Sequence, residues 1–393
     1  MGPSSRLTPK QLHALASELP RTVVQGAAGS GKTTLLAARI AHLLDLGLNP
    51  DLILALASSR SACDRIRRLV EEFAGPTRAG LVKILTFRGY AWDLMGVSRR
   101  HSVATEAESE GAIRSLLEGG KRREHVLPFE EMSREISRYE AEFYGPHPSV
   151  GLVLTRMFDS DGVPAWYLLP SLESDSSSGL HVLADDAQNL TARELRLVTG
   201  LSAGGSLFLT NDPRQAVLSS RGGKGITFPA THRLTRSLRF GSAIADRVNQ
   251  VAVCMAEDAI SGVGQVGQVV EGRISDIVLA EGSRAVLCKS DRECRLVAMD
   301  LGEEAVVAAR NPSEALDTEE DRFAEIALAG KIAVCTIRAA RGWEWDAVAV
   351  VPPAHDSMSP EDLRFEYVSF TRARRLLILV GSRGDGSQSD REA

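Results

Sequence analysis

Gly26-Ala27-Ala28-Gly29-Ser30-Gly31-Lys32-Thr33 fits the spacing G-x-x-x-x-G-K-[ST]. Small residues let successive backbone N–H groups turn inward on phosphate oxygens, and a helix starting near Lys32 adds the positive end of its dipole. In that chemistry Lys32 reaches the β- and γ-phosphates, the Thr33 hydroxyl sits on Mg²⁺, and Thr34 extends the cradle. The pattern predicts a nucleoside triphosphate site. A second acidic element is needed to hold the ion and position water. His181-Val182-Leu183-Ala184-Asp185-Asp186-Ala187-Gln188 offers one, because an apolar run delivers two adjacent carboxylates at its end. Asp185 is expected to reach Mg²⁺ through its water shell, and Asp186 to orient or deprotonate the attacking water. An Asp-Asp pair alone also occurs as a helix cap or turn.

Local patterning supplies the supports. Residues 22–24 read as a buried strand before the loop, and residues 33–46 as a helix after it, ending near Gly47 and Pro50. A second strand is expected at 52–57, an amphipathic helix at 61–73 and a short strand at 82–87. From 96 to 179 the chain turns charged and helical, with 106–117 and 130–143 as the best helices and a serine-rich loop over 171–179. Strand-like runs return at 181–184, 206–209, 285–288, 332–335, 347–351 and 376–380. Strands alternating with helices predict α/β units with parallel sheets.

The chain has 393 residues, 44% of them hydrophobic, enough for two or three compact units with ample core. No apolar run is long enough to span a bilayer, and the first ten residues lack a signal-peptide core. The five cysteines, Cys63, Cys254, Cys288, Cys294 and Cys335, show no paired metal spacing and are expected as reduced thiols. These features predict a cytoplasmic location. The net charge of −5 argues against a chain that coats nucleic acid, but it leaves room for a local basic channel.

In motif order the chain resembles the UvrD/Rep-like superfamily 1 helicases. Leu7-Thr8-Pro9-Lys10-Gln11 is similar to the Q motif, whose glutamine reads adenine; Gln11 could otherwise be an ordinary exposed helix residue. Ser59-Arg60-Ser61-Ala62 stands at motif Ia, and Thr86-Phe87-Arg88-Gly89 where the family has T-F-H-S. Asp185-Asp186-Ala187-Gln188 resembles D-E-x-Q. Asn211-Asp212-Pro213-Arg214-Gln215 resembles G-D-x-x-Q, which implies a γ-phosphate sensor at Gln215. Leu238-Arg239 resembles motif IV, Thr336 to Glu344 resembles T-x-H-x-x-K-G-x-E, and Tyr367 to Ala373 resembles Y-V-x-x-T-R-A.

The resemblance implies two RecA-like parallel-sheet domains with an ATP cleft between them. The first would hold residues 1–95 and 180–230, with a short helical insertion at 96–179. The second would hold 231–381, followed by a disordered tail at 382–393. It implies ATP and Mg²⁺ as cofactors, catalytic roles for Lys32, Asp185, Asp186, Gln215, Arg239 and Arg372, and nucleotide contacts from Gln11, Gly26 to Thr34 and Glu344. Nucleic-acid contacts would fall to Ser59, Arg60, Thr86, Phe87, Arg221, Thr336 and Arg338. Single-stranded DNA is the expected partner, with RNA left open and a nuclease or other repair or defence subunit as a further candidate.

The departures are specific. The second large helical insertion of the family looks absent. Ser58, Leu218 and Ser220 stand where the family has base-stacking aromatics, which puts that grip in doubt. Phe87, Tyr90, Trp92, Trp343 and Trp345 remain, with Phe87 and Trp92 favoured as core. Leu238 replaces a stacking tyrosine, Asp186 a glutamate, and Arg338 and Arg341 a histidine and a lysine. Two functions compete: a weakly processive ATP-driven translocase or helicase, and an ATP-gated switch or partner subunit that does not translocate.

Overall fold

The computed structural model describes residues 6–57, 60–87, 89–90, 102–104, 162–164, 179–190, 192–215, 229–255, 258–308, 319–337, 339–340, 342–351 and 359–381. The expected insertion helices and the tail at 382–393 lie outside these residues. The chain divides into two compact units. One holds Met1–Gln25, Lys32–Leu234 and Asn311–Asp317; the other holds Gly26–Gly31, Thr235–Arg310 and Thr318–Ala393.

In the first unit the strands are β1 (Arg21–Gly26), β2 (Ile53–Ala57), β3 (Lys83–Thr86), β6 (His181–Ala184), β7 (Ser206–Asn211) and β8 (His232–Leu234), with β4 (Ser102–Ala104) and β5 (Gly162–Pro164) as a separate parallel pair. The six-stranded sheet runs β3-β2-β6-β7-β1-β8. The pairs β1–β7, β2–β3, β2–β6 and β6–β7 are parallel. All of β2, Ile-Leu-Ala-Leu-Ala, is buried, as a central parallel strand covered on both faces requires.

Helices α1 (Pro9–Leu15), α2 (Lys32–Asp45), α3 (Arg60–Ala74), α4 (Pro76–Ala79) and α5 (Ala192–Leu201) complete the unit. Alternating residues of the sheet feed two cores. Ile53, Ala55 and Ala57 pack with Leu36, Ile40, Ile66 and Val70, while Leu54, Leu56, Val182 and Leu209 pack with Val198 and Phe87. Arg39 of α2 is buried and donates to the Leu15 carbonyl and, at 2.9 Å, to that of Ser17, so it closes the C-terminal end of α1.

The second unit contains β9 (Arg236–Ser237), β10 (Ser261–Gly262), β11 (Gln268–Gly272), β12 (Arg284–Cys288), β13 (Ala305–Val307), β14 (Ile332–Thr336), β15 (Trp345–Val350) and β16 (Ala373–Val380). Its main sheet has six parallel strands in the order β11-β16-β15-β12-β14-β13. The helices are α6 (Ser242–Cys254), α7 (Asp291–Leu301), α8 (Glu319–Leu328) and α9 (Pro360–Phe370). Sequence-local caps start two of them: Ser290 with Glu293 at α7 and Ser359 with Asp362 at α9 each close a capping box. The strand-like runs foreseen at 285–288, 332–335, 347–351 and 376–380 fall within β12, β14, β15 and β16 apart from Val351. The short strands β8 to β11 carry no comparable apolar run, and β13, Ala-Val-Val, is a strand that the reading of the sequence did not foresee. The fold is α/β with two parallel sheets, as two RecA-like domains require. All five cysteines are free thiols.

Candidate functional site

In the first unit, chemistry gathers at the C-terminal ends of β1, β6 and β7, which are neighbours in the sheet. Such strand ends are where open parallel sheets hold ligands. The Thr33 hydroxyl donates to Asp185 Oδ2 at 2.7 Å, and the Thr210 hydroxyl donates to Asp185 Oδ1. Asp186 stands in the left-handed region at φ 54° and ψ 49°, the one non-glycine residue among those described with positive φ. A strained backbone of this kind costs of order 1–3 kcal/mol and persists where surrounding contacts hold it. Here the Asp186 N–H donates to Asp185 Oδ1 and Thr210 Oγ1, both at 3.2 Å.

Gln188 links the two acidic segments. Its Nε2 donates to Asp186 Oδ1 at 3.2 Å, and its Oε1 accepts the Asp212 N–H at 3.0 Å. Asp212 is fully buried. It takes Arg214 Nε at 2.9 Å and Gln215 Nε2 at 2.7 Å, and Lys32 Nζ lies 3.9 Å away. Burial pushes the Lys32 ammonium below its usual range, against the pull of Asp212, Asp186 and Asp185. Burial, followed by the neighbouring charge of Asp186, pushes the Asp185 carboxyl above the ordinary carboxylate range; the Thr210 and Thr33 hydroxyls and Lys32 oppose this. The cluster therefore holds a desolvated cation and a desolvated acid close together, a combination that clusters at functional sites.

The donor set suits Mg²⁺ carried by a nucleotide. A hydroxyl and a carboxylate stand 2.7 Å apart, and Mg²⁺ is held by one or two protein oxygens, with water and phosphate completing its shell. Among the described residues no group of three or more His, Cys, Asp or Glu could hold a metal ion.

The loop Gly26–Gly31 groups with the second unit. Gly29 and Gly31 have φ of +73° and +77°, conformations an L side chain rarely adopts. A Cβ on Gly29 would lie 2.6 Å from Arg239 Cβ and from Ser237 Oγ. The Leu238 N–H donates to the Gly29 carbonyl at 2.8 Å, and the Ala28 N–H to the Tyr367 hydroxyl at 3.3 Å. Arg239 Nη1 donates to the Thr371 carbonyl at 2.6 Å, and its Nε lies 2.5 Å from Glu344 Oε2, a charge contact without hydrogen-bond alignment. Arg372 is buried and donates to carbonyls of its own unit, from Nε to Val368 at 3.2 Å and from Nη1 to Trp343 at 3.3 Å.

Other expected site residues divide. Gln11 is 2% exposed, so it is not an ordinary exposed helix residue. Its Oε1 accepts from the Thr8 N–H at 2.7 Å and the Thr8 hydroxyl at 2.9 Å, which closes the capping box of α1. Phe87 is 4% exposed and packs in the core, and the Thr86 hydroxyl accepts the Gly89 N–H. Arg60 is exposed at the start of α3, and Thr336 ends β14 half-buried. Ser59, Arg221 and Arg338 lie outside the described residues. Gln188, Thr210, Asp212 and Arg214 belong to the cluster although sequence reasoning gave them no role. Thr210 carried a signal, a polar residue at the end of an otherwise apolar strand.

Two parallel sheets, with an acid-and-lysine cluster at the strand ends of one, define the class of the protein as α/β. Residues 7–141 match the family model of the UvrD/REP helicase N-terminal domain. Over that stretch, about a third of the chain, it is similar to the N-terminal domain of UvrD/Rep-like helicases. The match contains the loop and Lys32, while Asp185 and all later motifs lie beyond it. No curated protein matches the chain. Among the described residues no helix is long and apolar enough to cross a membrane.

Proposed function

We propose that the chain is an ATP-driven translocase or helicase that couples hydrolysis to movement on single-stranded DNA. The observation that carries this reading is the continuous network Thr33–Asp185–Thr210–Asp186–Gln188–Asp212–Gln215, with Lys32 beside Asp212. Lys32 and the backbone of the loop hold the phosphates. Thr33 and Asp185 would hold a Mg²⁺, which would supply charge neutralisation at the phosphate oxygens. Asp186 orients the attacking water and takes its proton. Gln188 fixes the Asp186 carboxylate, and Gln215, joined to the same network through Asp212, senses the γ-phosphate. Arg239, seated against Gly29, supplies positive charge to the γ-phosphoryl oxygens in the transition state.

The test is ATP hydrolysis with and without single-stranded DNA. A motor must couple the two, so DNA is expected to raise the rate severalfold. ATP binding with slow hydrolysis that DNA leaves unchanged would replace the motor by an ATP-gated switch. Ser58, Leu218 and Ser220 at the stacking positions favour that second reading. DNA affinity is expected to fall steeply with salt, because phosphate contacts must carry more of the binding.

A further inference from the structure

We infer that Glu344 and Arg374 are positioning residues that aim Arg239, and that Glu344 does its work through that arginine and not as a direct nucleotide contact. The inference rests on the reading that Arg239 acts on the γ-phosphate. Glu344 directly precedes β15, and Arg374 is the second residue of β16; the two strands pair in parallel with Trp345 opposite Ala373, and a register shift falls between Trp345 and Ala347. The sheet thus sets these side chains beside each other.

Arg374 Nε and Nη2 donate to Glu344 Oε1 at 3.0 and 2.7 Å. Its Nη1 is 3.9 Å from Asp346 Oδ1. Asp346 is held in turn, since its Oδ2 accepts the Ser283 N–H at 2.9 Å and the Ser283 hydroxyl at 2.8 Å. The other oxygen of Glu344, Oε2, faces Arg239 Nε at 2.5 Å, while Arg239 Nη1 is tied to the Thr371 carbonyl. Both Glu344 oxygens are thereby engaged by arginines, and Arg239 is fixed at two points of its planar head. Its root is fixed as well, by the close approach of Gly29. A long side chain otherwise loses rotamer freedom on reaching its target. Holding it in advance moves that cost out of the reaction, which is the preorganisation that transition-state stabilisation needs. The side chains of Arg239, Glu344 and Arg374 are 11%, 21% and 38% exposed, so the pairing is shielded most where Arg239 sits.

The experiment uses the full chain with Arg374→Met, Arg374→Lys, Glu344→Gln, Arg239→Ala and the doubles R374M/R239A and R374M/E344Q. In the nucleotide-free protein, denaturant unfolding is expected to show coupling between Arg374 and Glu344; strictly additive losses overturn the relay whether or not the protein hydrolyses ATP. With ATP, R374M is expected to lower kcat about tenfold or more while KM stays within about twofold. R374K recovers part of the rate, and R374M has no further effect in the Arg239→Ala background. Calorimetry adds a readout apart from turnover: the preference for ATP over ADP narrows in R374M and E344Q, and discrimination between ATP and 3′-deoxy-ATP survives in E344Q. A loss of that sugar discrimination, or an R374M defect that persists in full without Arg239, overturns the inference. A protein that binds no ATP overturns the functional reading instead, and the nucleotide-free cycle then decides whether the relay exists.

Discussion

Replacing Asp186 by asparagine separates its charge from its backbone. Asparagine tolerates the left-handed conformation at φ 54° and ψ 49°. The Asn oxygen can still accept from Gln188 Nε2, and the residue 186 N–H keeps Asp185 Oδ1 and Thr210 Oγ1. The fold should therefore change by no more than about 0.5 kcal/mol. Its sign should be favourable, because a like charge beside the buried Asp185 is removed. The rate should behave otherwise. A positioned general base contributes about 10²–10⁴-fold, or about 3–5 kcal/mol of barrier at ~1.36 kcal/mol per tenfold. Single-turnover hydrolysis together with urea unfolding measures both quantities. An Asn variant that folds normally and hydrolyses ATP within about threefold of the parent would refute the assignment. Asp186→Glu gives the opposite split. The carboxylate gains reach, so hydrolysis stays equal or rises, while a glutamate in the left-handed region lowers stability by about 1 kcal/mol.

Lys32→Ala should abolish hydrolysis, because the phosphates lose their point-charge partner; retention of most activity in the purified variant would show that the loop is not the phosphate site. Asp185→Asn should raise the melting temperature of the nucleotide-free protein at neutral pH while Mg²⁺-dependent hydrolysis is lost. The Asp185 carboxyl titrates above its unfolded value, so its protonated form favours the fold and that stability is lost as pH rises through the raised pKa. The difference between variant and parent should vanish in acid, where Asp185 is protonated in both states, and a lower melting temperature for the variant at neutral pH would contradict it. Arg39→Met should lower the unfolding free energy by about 2–4 kcal/mol, since two charge-assisted bonds to the Leu15 and Ser17 carbonyls go; urea unfolding checks this, and a change below about 0.5 kcal/mol would mean water replaces the guanidinium.

Much of the candidate site was legible in the sequence because its signals are local. The glycine spacing before Lys32 marks a tight loop, and Gly29 and Gly31 take the positive φ that glycine allows. The run His181–Ala184 is apolar because a central strand is covered on both faces, and that fixes where Asp185 emerges. Even the capping role of Gln11 follows from a local rule, for Thr8-x-x-Gln11 is the spacing of a capping box. Phe87 shows the limit of motif matching, because its position in the T-F pattern said nothing of the Leu54, Leu56 and Val182 side chains that bury it.

Tertiary structure decided what depends on strand order and on register across the sheet. The order β6-β7-β1 places Asp212, at the end of one strand, beside Lys32, which follows another, and no periodicity encodes which strands become neighbours. The left-handed turn at Asp186 exists because Asp185, Thr210 and Gln188 converge on it from two strand ends. The pairing of β15 with β16 sets Arg374 against Glu344, and Glu344 in turn meets Arg239 from a segment more than a hundred residues earlier in the chain. The sequence by itself determined which chemical groups the protein owns and which local turns present them. The long-range packing of parallel strands, whose partners are chosen by burial and not by proximity in the chain, determined which of those groups touch.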